Sequence, residues 1–212
     1  MGRSSQIVYV VDDDRAVRDS LQWLIESMGL QVKTFASGQA FLDHCHDGMV
    51  GCLVADLRLP GMSGLDMRDQ MLERGHDLAT IIITGHGDVP QAVRALKSGA
   101  LDFIEKPFSD RVLLDRINDA LQIDQENRDM AAHRSQIEHR YDRLTPRERQ
   151  VMTMVVDGKL NKQIASELGL SHKTVEVHRS HVMSKMEAPS LAALVRMAME
   201  LHANHFAASA SQ

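Results

Sequence analysis

Asp12-Asp13, Asp56, Thr84 and Lys106 are the residues of this chain whose types and positions point most directly to chemistry. Each stands at the end of an apolar run. Asp12-Asp13 follow Ile7-Val8-Tyr9-Val10-Val11, Asp56 follows Cys52-Leu53-Val54-Ala55, Thr84 closes Ala79-Thr80-Ile81-Ile82-Ile83, and Lys106 follows Leu101-Asp102-Phe103-Ile104-Glu105. Gathered at one place, three carboxylates, a hydroxyl and an ammonium make a pocket for a divalent metal and a phosphoryl group. Carboxylate oxygens suit a hard dication, while the ammonium and hydroxyl can take phosphate oxygens.

The elements that must position these groups follow from the same runs. Apolar stretches at 7–11, 31–35, 52–56, 80–84 and 101–105 read as parallel strands buried on both faces. They alternate with helical patterns near 14–28, 38–46, 64–74, 88–98 and 109–123. In the first helix Val17, Leu21, Leu24, Ile25 and Met28 recur every three to four residues, the sign of one buried face, and Gly29 supplies the C-terminal stop. Five β/α repeats of this size predict an α/β fold, a doubly wound five-stranded parallel sheet with helices on both faces. In such sheets ligands sit at the carboxyl ends of the strands, where all four sites should converge.

Composition sets the wider limits. The chain has 212 residues, 43% hydrophobic and 25% charged, as in ordinary globular proteins. No apolar stretch approaches the roughly 20 residues that span a bilayer, and the first strand begins without a signal-peptide core. Two cysteines, Cys45 and Cys52, are too few for a disulfide framework and fit a reducing cytoplasm. Charge is uneven: residues 1–141 hold 15 Lys/Arg against 22 Asp/Glu, residues 142–212 hold 9 against 7. The acidic part is a poor surface for nucleic acid, whereas the mildly basic part permits DNA binding.

The polar stretch 124–143 lacks Gly and Pro and is predicted to extend the fifth helix; a solvated tether is favoured over a short dimer seam of Met130, Ile137 and Tyr141, because no sustained heptad is visible. From Leu144 the pattern is all helical, over 146–157, 161–168, 172–186 and 190–202. Thr145-Pro146-Arg147-Glu148 forms a capping box with Pro at the first position, and Ser171 and Ser190 can cap the third and fourth helices. Leu168-Gly169-Leu170-Ser171 is the short turn of a helix-turn-helix. The predicted division is therefore 1–123, a helical linker 124–143, and a small all-α four-helix domain 144–212.

Residues 1–123 resemble the receiver domain of bacterial two-component response regulators. The resemblance rests on Asp12-Asp13, Asp56 followed by Leu57-Arg58-Leu59-Pro60-Gly61-Met62-Ser63-Gly64, the stretch Thr84-Gly85-His86-Gly87-Asp88, and Lys106-Pro107-Phe108. Residues 144–202 resemble the LuxR-type helix-turn-helix, and the pair is similar to the FixJ/NarL group, closest to its FixJ branch through Thr84–Pro90 and Leu144–Met152. The resemblance implies a flavodoxin-like receiver in which Asp56 accepts a phosphoryl group from a sensor histidine kinase. It implies Mg²⁺ (or Mn²⁺) held by Asp13, Asp56 and the Arg58 backbone carbonyl, with Asp12 acting through water. Lys106 and the Thr84 hydroxyl would take phosphate oxygens, and Thr84 with Phe103 would form the switch. Arg58 and His86, each two positions beyond a key residue, are expected to tune the lifetime of the acyl phosphate. The expected product is not a turnover enzyme but a cytoplasmic regulator with slow autodephosphorylation, which dimerises when phosphorylated, binds double-stranded promoter DNA and works with RNA polymerase.

In a helix-turn-helix the second helix enters the major groove. On helix 172–186, Val175, Val182 and Met186 share an inward face, which leaves Lys173, Glu176, Val177, Arg179 and Ser180 outward. By family position Glu176, Val177 and Ser180 are base readers: Glu accepts from cytosine N4 and Val contacts a thymine methyl. Lys173, Thr174, Arg179, Asn161 and Lys162 are expected to hold phosphates. His44-Cys45-His46 with Cys52 is disfavoured as a metal site, because adjacent helical residues point about 100° apart. Two other readings stay open from residues alone. One is a Mg²⁺-dependent phosphohydrolase, although Arg58 stands where such enzymes carry a second acid. The other is a regulator that ignores phosphate and answers to a ligand or to oxidation of Cys45 and Cys52.

Overall fold

The structure, a computed structural model, describes residues 6–85 and 102–209, with side chains as far as Leu201. The expected helix 88–98, His86 and Leu101 lie outside the described residues. The chain divides into two compact units, residues 1–128 and 129–212.

The first unit is built on a five-stranded parallel sheet in the order β2-β1-β3-β6-β7. The strands are β1 (Ile7–Val11), β2 (Gln31–Phe35), β3 (Gly51–Asp56), β6 (Ala79–Thr84) and β7 (Asp102–Glu105). A small antiparallel hairpin, β4 (Arg58–Leu59) with β5 (Met62–Ser63), follows β3. Side chains of a strand alternate between faces, and the core divides accordingly. Tyr9, Val11, Leu53, Ala55 and Ile82 pack on one face with Phe41 and Leu42 of α2 (Gly38–His44) and Met67 and Met71 of α3 (Gly64–Glu73). Val8, Val10, Cys52, Val54, Ile81 and Ile83 pack on the other, with Leu21 and Ile25 of α1 (Arg15–Glu26) and Leu113 and Ile117 of α4 (Asp110–Asp142). This is the doubly wound arrangement the sequence predicts.

Helix α1 ends two residues earlier than its apolar period suggests. Ser27 caps it, Gly29 takes a left-handed φ of 75°, and Met28, beyond the last helical turn, is exposed rather than buried. Helix α4 is a single helix of 33 residues. Residues 124–142 are thus helical as predicted, with Arg143 in the turn that follows, but they are not uniformly solvated. Asp124 is buried in the first unit, where its Oδ2 accepts from Gln6 Nε2 (2.8 Å), the Gly51 amide (3.1 Å) and Arg128 Nε (3.1 Å). Ile137 is 1% exposed and belongs to the core of the second unit, with Tyr141 packed beside it.

The second unit continues with α5 (Pro146–Val156), α6 (Asn161–Leu168), α7 (His172–Lys185) and α8 (Leu191–Ser209). Local chemistry starts three of these four helices as the sequence implies, whereas α6 begins after Leu160 without a side-chain cap. Thr145 Oγ1 accepts from the Glu148 amide while Glu148 Oε2 accepts from the Thr145 amide, and Ser171 and Ser190 cap α7 and α8. Gly169, with φ 65°, turns the chain between α6 and α7. Val151, Ile164, Val175, Val182, Met186 and Leu194 fill the core.

Candidate functional site

At the carboxyl edge of the sheet the ends of β1, β3 and β7 bring three of the singled-out side chains into contact. Lys106 Nζ donates to Asp56 Oδ1 at 2.7 Å and to Asp12 Oδ2 at 3.0 Å. Asp12 is only 3% exposed, so removing that partner would leave a buried carboxylate without its cation. Burial alone would lower the Lys106 pKa, but the hydrogen bonds it donates to Asp56 and Asp12 overbalance it and hold the ammonium above its ordinary value. An ammonium held between two carboxylates at a strand edge is a cation placed to face a phosphoryl oxygen.

The carboxylates are fixed by their own backbone. Asp12 Oδ1 accepts from the Asp14 amide at 2.9 Å and Asp56 Oδ2 from the Arg58 amide at 2.6 Å. Asp14 caps α1 by accepting from the Ala16 amide. Asp13 and Arg58 are exposed at the rim. Thr84 is buried at the end of β6; its hydroxyl donates to the Gly85 carbonyl and its own carbonyl accepts from the Lys106 amide at 2.6 Å. Phe103, one strand over, is half-buried and packs against the α2/α3 side of the core. Among the described residues no three His, Cys, Asp or Glu side chains form a metal-holding group. Asp12 and Asp56 meet on Lys106, and Asp13 does not join them.

Two contributors were not read from the sequence. Arg18 Nη1 donates to the Asp12 carbonyl at 2.7 Å and so ties α1 to the loop that carries the acid pair. Gly64 lies against the Asp56 backbone, where a Cβ would stand 2.4 Å from the Asp56 carbonyl oxygen. Gly64 does lie in the quoted motif, but only the fold shows what it approaches. The Arg18 contact has no local signal at all.

The cysteines do not form a second centre. Cys52 is fully buried in β3, and burial, with the Asp124 charge, pushes its thiol far up. Burial also raises the Cys45 thiol, whose Sγ faces the Phe41 carbonyl. Neither is a ready thiolate, the form that reacts with oxidants or metals.

In the second unit Val175, Val182 and Met186 are buried as predicted, while Lys173, Glu176, Val177 (47% exposed) and Ser180 face outward. Thr174 is half-buried, its hydroxyl 2.7 Å from that of Ser171. Glu176 pairs with His172 one turn earlier at 3.4 Å. Lys162 is exposed at the start of α6, and the neighbouring Asn161 accepts from Arg179. Behind this face Glu148 is 3% exposed and holds α7 through Lys185 (2.6 Å) and His181 (3.5 Å). Burial would raise the Glu148 pKa, but the bond from Lys185 and those from Thr145 lower it to about 2.

Residues 8–118 match the response regulator receiver domain, and residues 142–198 match the bacterial regulatory proteins of the luxR family. The chain is 43% identical over 201 residues to the response regulator protein TmoT of Ectopseudomonas mendocina, covering 95% of this chain and 91% of that protein. It is 48% identical over 192 residues to the transcriptional regulatory protein FixJ of Azorhizobium caulinodans, covering 91% of each. Among solved structures it is similar to the response regulator StyR, with TM-score 0.84, 42% identity and coverage of 92% of this chain and 99% of that one. It is also similar to full-length FixJ from B. japonicum, with TM-score 0.59, 44% identity and coverage of 93% and 97%. A doubly wound sheet with a lysine between two strand-end aspartates, followed by a helix-turn-helix and matched over nearly its whole length, belongs to the response-regulator family of the FixJ/NarL type, in which a receiver domain is joined to a LuxR-type DNA-binding domain.

Proposed function

We propose that the protein is a phosphorylation-switched transcription regulator whose phosphoacceptor is Asp56. The observation that carries this reading is the Lys106 ammonium bound to both Asp12 and Asp56 at the carboxyl edge of the sheet. An Asp56 oxygen attacks the phosphorus of a phosphohistidine on a sensor kinase. The new O–P bond forms as the N–P bond breaks, and the imidazole leaves with the electron pair and takes up a proton. Phosphoryl transfer asks the protein mostly for positioning and charge neutralisation. Lys106 neutralises one phosphoryl oxygen, the Thr84 hydroxyl turns from the Gly85 carbonyl to another, and Phe103 repacks into the space Thr84 leaves.

The donors at this edge suit Mg²⁺ or Mn²⁺: among the described residues the groups that accept from Lys106 are carboxylate oxygens, the ligand type a hard dication takes. Asp13, Asp56 and the Arg58 carbonyl would hold the ion, with Asp12 through water. When bound it would offset the charge that develops on the phosphoryl oxygens. Arg58 and His86 flank the approach of hydrolytic water and tune a slow loss of phosphate. His86 lies outside the described residues.

The functional division is a receiver over 1–123, a helical linker over 124–143 and a DNA-binding domain over 144–212. Phosphorylation favours a homodimer, which binds promoter DNA through Glu176, Val177 and Ser180 at base edges and Asn161, Lys162, Lys173, Thr174 and Arg179 at phosphates, and engages RNA polymerase in the cytoplasm. No helix of the described residues is long and apolar enough to cross a membrane.

Incubation with Mg²⁺ and acetyl phosphate, followed by intact-mass and light-scattering measurements, tests the proposal. A single phosphoryl adduct that disappears in Asp56→Asn, together with a shift from monomer to dimer, is the expected result. An adduct that survives Asp56→Asn, or none in the wild type, contradicts it.

A further inference from the structure

Arg179 and Asn161 lie on different helices, 18 residues apart, yet Arg179 Nη1 donates to Asn161 Oδ1 at 2.8 Å. Both side chains are half-buried. The orientation of the amide is not arbitrary: a guanidinium has only donors, so the amide must turn its oxygen to it. The contact spans the turn between α6 and α7. The two helices are themselves locked by Ile164 and Val175, both fully buried, so the positions from which the side chains reach are fixed. A surface arginine otherwise carries considerable rotamer entropy, which it loses on gripping a phosphate. An arginine already held by an amide oxygen has lost part of that freedom before DNA arrives, and pre-organisation of this kind strengthens binding. The bond engages one of five N–H donors, and the rest of the fork remains to embrace a phosphate.

We infer that Asn161 is a positioning residue for Arg179, acting on DNA through the arginine rather than as a separate phosphate contact. This rests on reading residues 144–212 as the DNA-binding module and deepens it, since two positions assigned to phosphates become one unit. Lys162 and Lys173, exposed on the same two helices, remain independent phosphate ligands.

The test uses the full-length chain with Mg²⁺ and beryllofluoride, bound to a mixed-sequence duplex of about 30 base pairs, room for two half-sites. Affinity is measured against salt for wild type, Asn161→Ala, Arg179→Ala and the double variant. Asn161 is a half-exposed first-turn residue, so Ala is compatible with the helix. Arg179→Ala is expected to weaken binding roughly tenfold or more, the loss of a charge-assisted hydrogen bond, and to reduce the salt slope by about 0.9, the share of one phosphate contact. Asn161→Ala should also reduce the slope, although it removes no charge. The double variant should bind within about twofold of Arg179→Ala, because the two residues act as one.

Losses that multiply in the double variant, with an unchanged slope in Asn161→Ala, overturn the inference and make Asn161 an independent contact. Arg179→Ala binding like wild type overturns it while leaving the DNA-binding reading intact. A wild-type chain with no salt-dependent affinity for the duplex overturns both.

Discussion

Lys106 governs what each substitution in the pocket does. Among the described residues its ammonium is the cation paired with the buried Asp12 carboxylate, and it is the immediate neighbour of Asp56. Lys106→Met therefore removes the cation that faces the incoming phosphoryl oxygens. The expected result is a phosphorylation rate from acetyl phosphate lower by about two to three orders of magnitude, the scale for losing one preorganised electrostatic contact. Retention of the wild-type rate would show that this ammonium has no part in transfer. Glu148 supplies a second test, in pH. Its pKa lies near 2, below the ordinary 4.5, so its contribution to stability is fully present above about pH 4.5 and is lost as pH falls towards 2. Glu148→Gln should destabilise the second unit near neutrality by roughly 1–3 kcal/mol, since it leaves Lys185 and the Thr145 amide without their carboxylate. Hydrogen exchange in α5 and α7 should show the gap between variant and wild type closing as pH drops from 4.5 towards 2. A constant gap would mean that the charge of Glu148 is not what matters.

At the scale of elements, backbone fit decides where the chemistry stands. Gly51 has φ 125°, and a Cβ there would lie 1.8 Å from the Ile7 carbonyl oxygen, so β3 can pair with β1 at this point only as glycine. Gly64 plays the corresponding part behind Asp56. Gly64→Ala should displace the Asp56 backbone and depress both the phosphorylation rate and the thermal stability of the receiver, read by acetyl phosphate labelling and calorimetry; a variant that labels and melts like wild type would contradict the fit. The same scale explains what the sequence could say. Strand ends and helix caps were legible because their causes are local: apolar runs for β1, β3 and β6, the Thr145–Glu148 box for α5, Ser171 and Ser190 for α7 and α8. The inward face of α7 was legible because Val175, Val182 and Met186 keep helical spacing. The hairpin β4–β5 escaped because strands of two residues carry no period. Arg18 on the Asp12 carbonyl, Asp124 under Gly51 and Gln6, and Lys185 on Glu148 escaped because each joins residues whose proximity only the fold creates. Met28 was misjudged because the helical period was carried past the real end of α1.

Across the whole molecule, acidic and basic parts separate along with the two units. Residues 1–128 carry 13 Lys/Arg against 20 Asp/Glu and residues 129–212 carry 11 against 9, so under the proposed function the mildly basic second unit is the one suited to attract DNA. Helix α4 runs through the division, with Asp124 fastened to the first unit and Ile137 to the core of the second. Under the proposed function, control of DNA binding by phosphate would be a coupling free energy between Asp56 and the DNA face, of the size usual for allostery, about five- to 150-fold in affinity. The most direct measurement is the affinity of the full-length protein for its promoter site, found by selection from random duplexes, with and without beryllofluoride and Mg²⁺, for wild type and Asp56→Asn. The account requires that beryllofluoride tighten wild-type binding by at least about fivefold and leave Asp56→Asn unchanged. Equal affinities for wild type in both states, or an equal gain in Asp56→Asn, would contradict it.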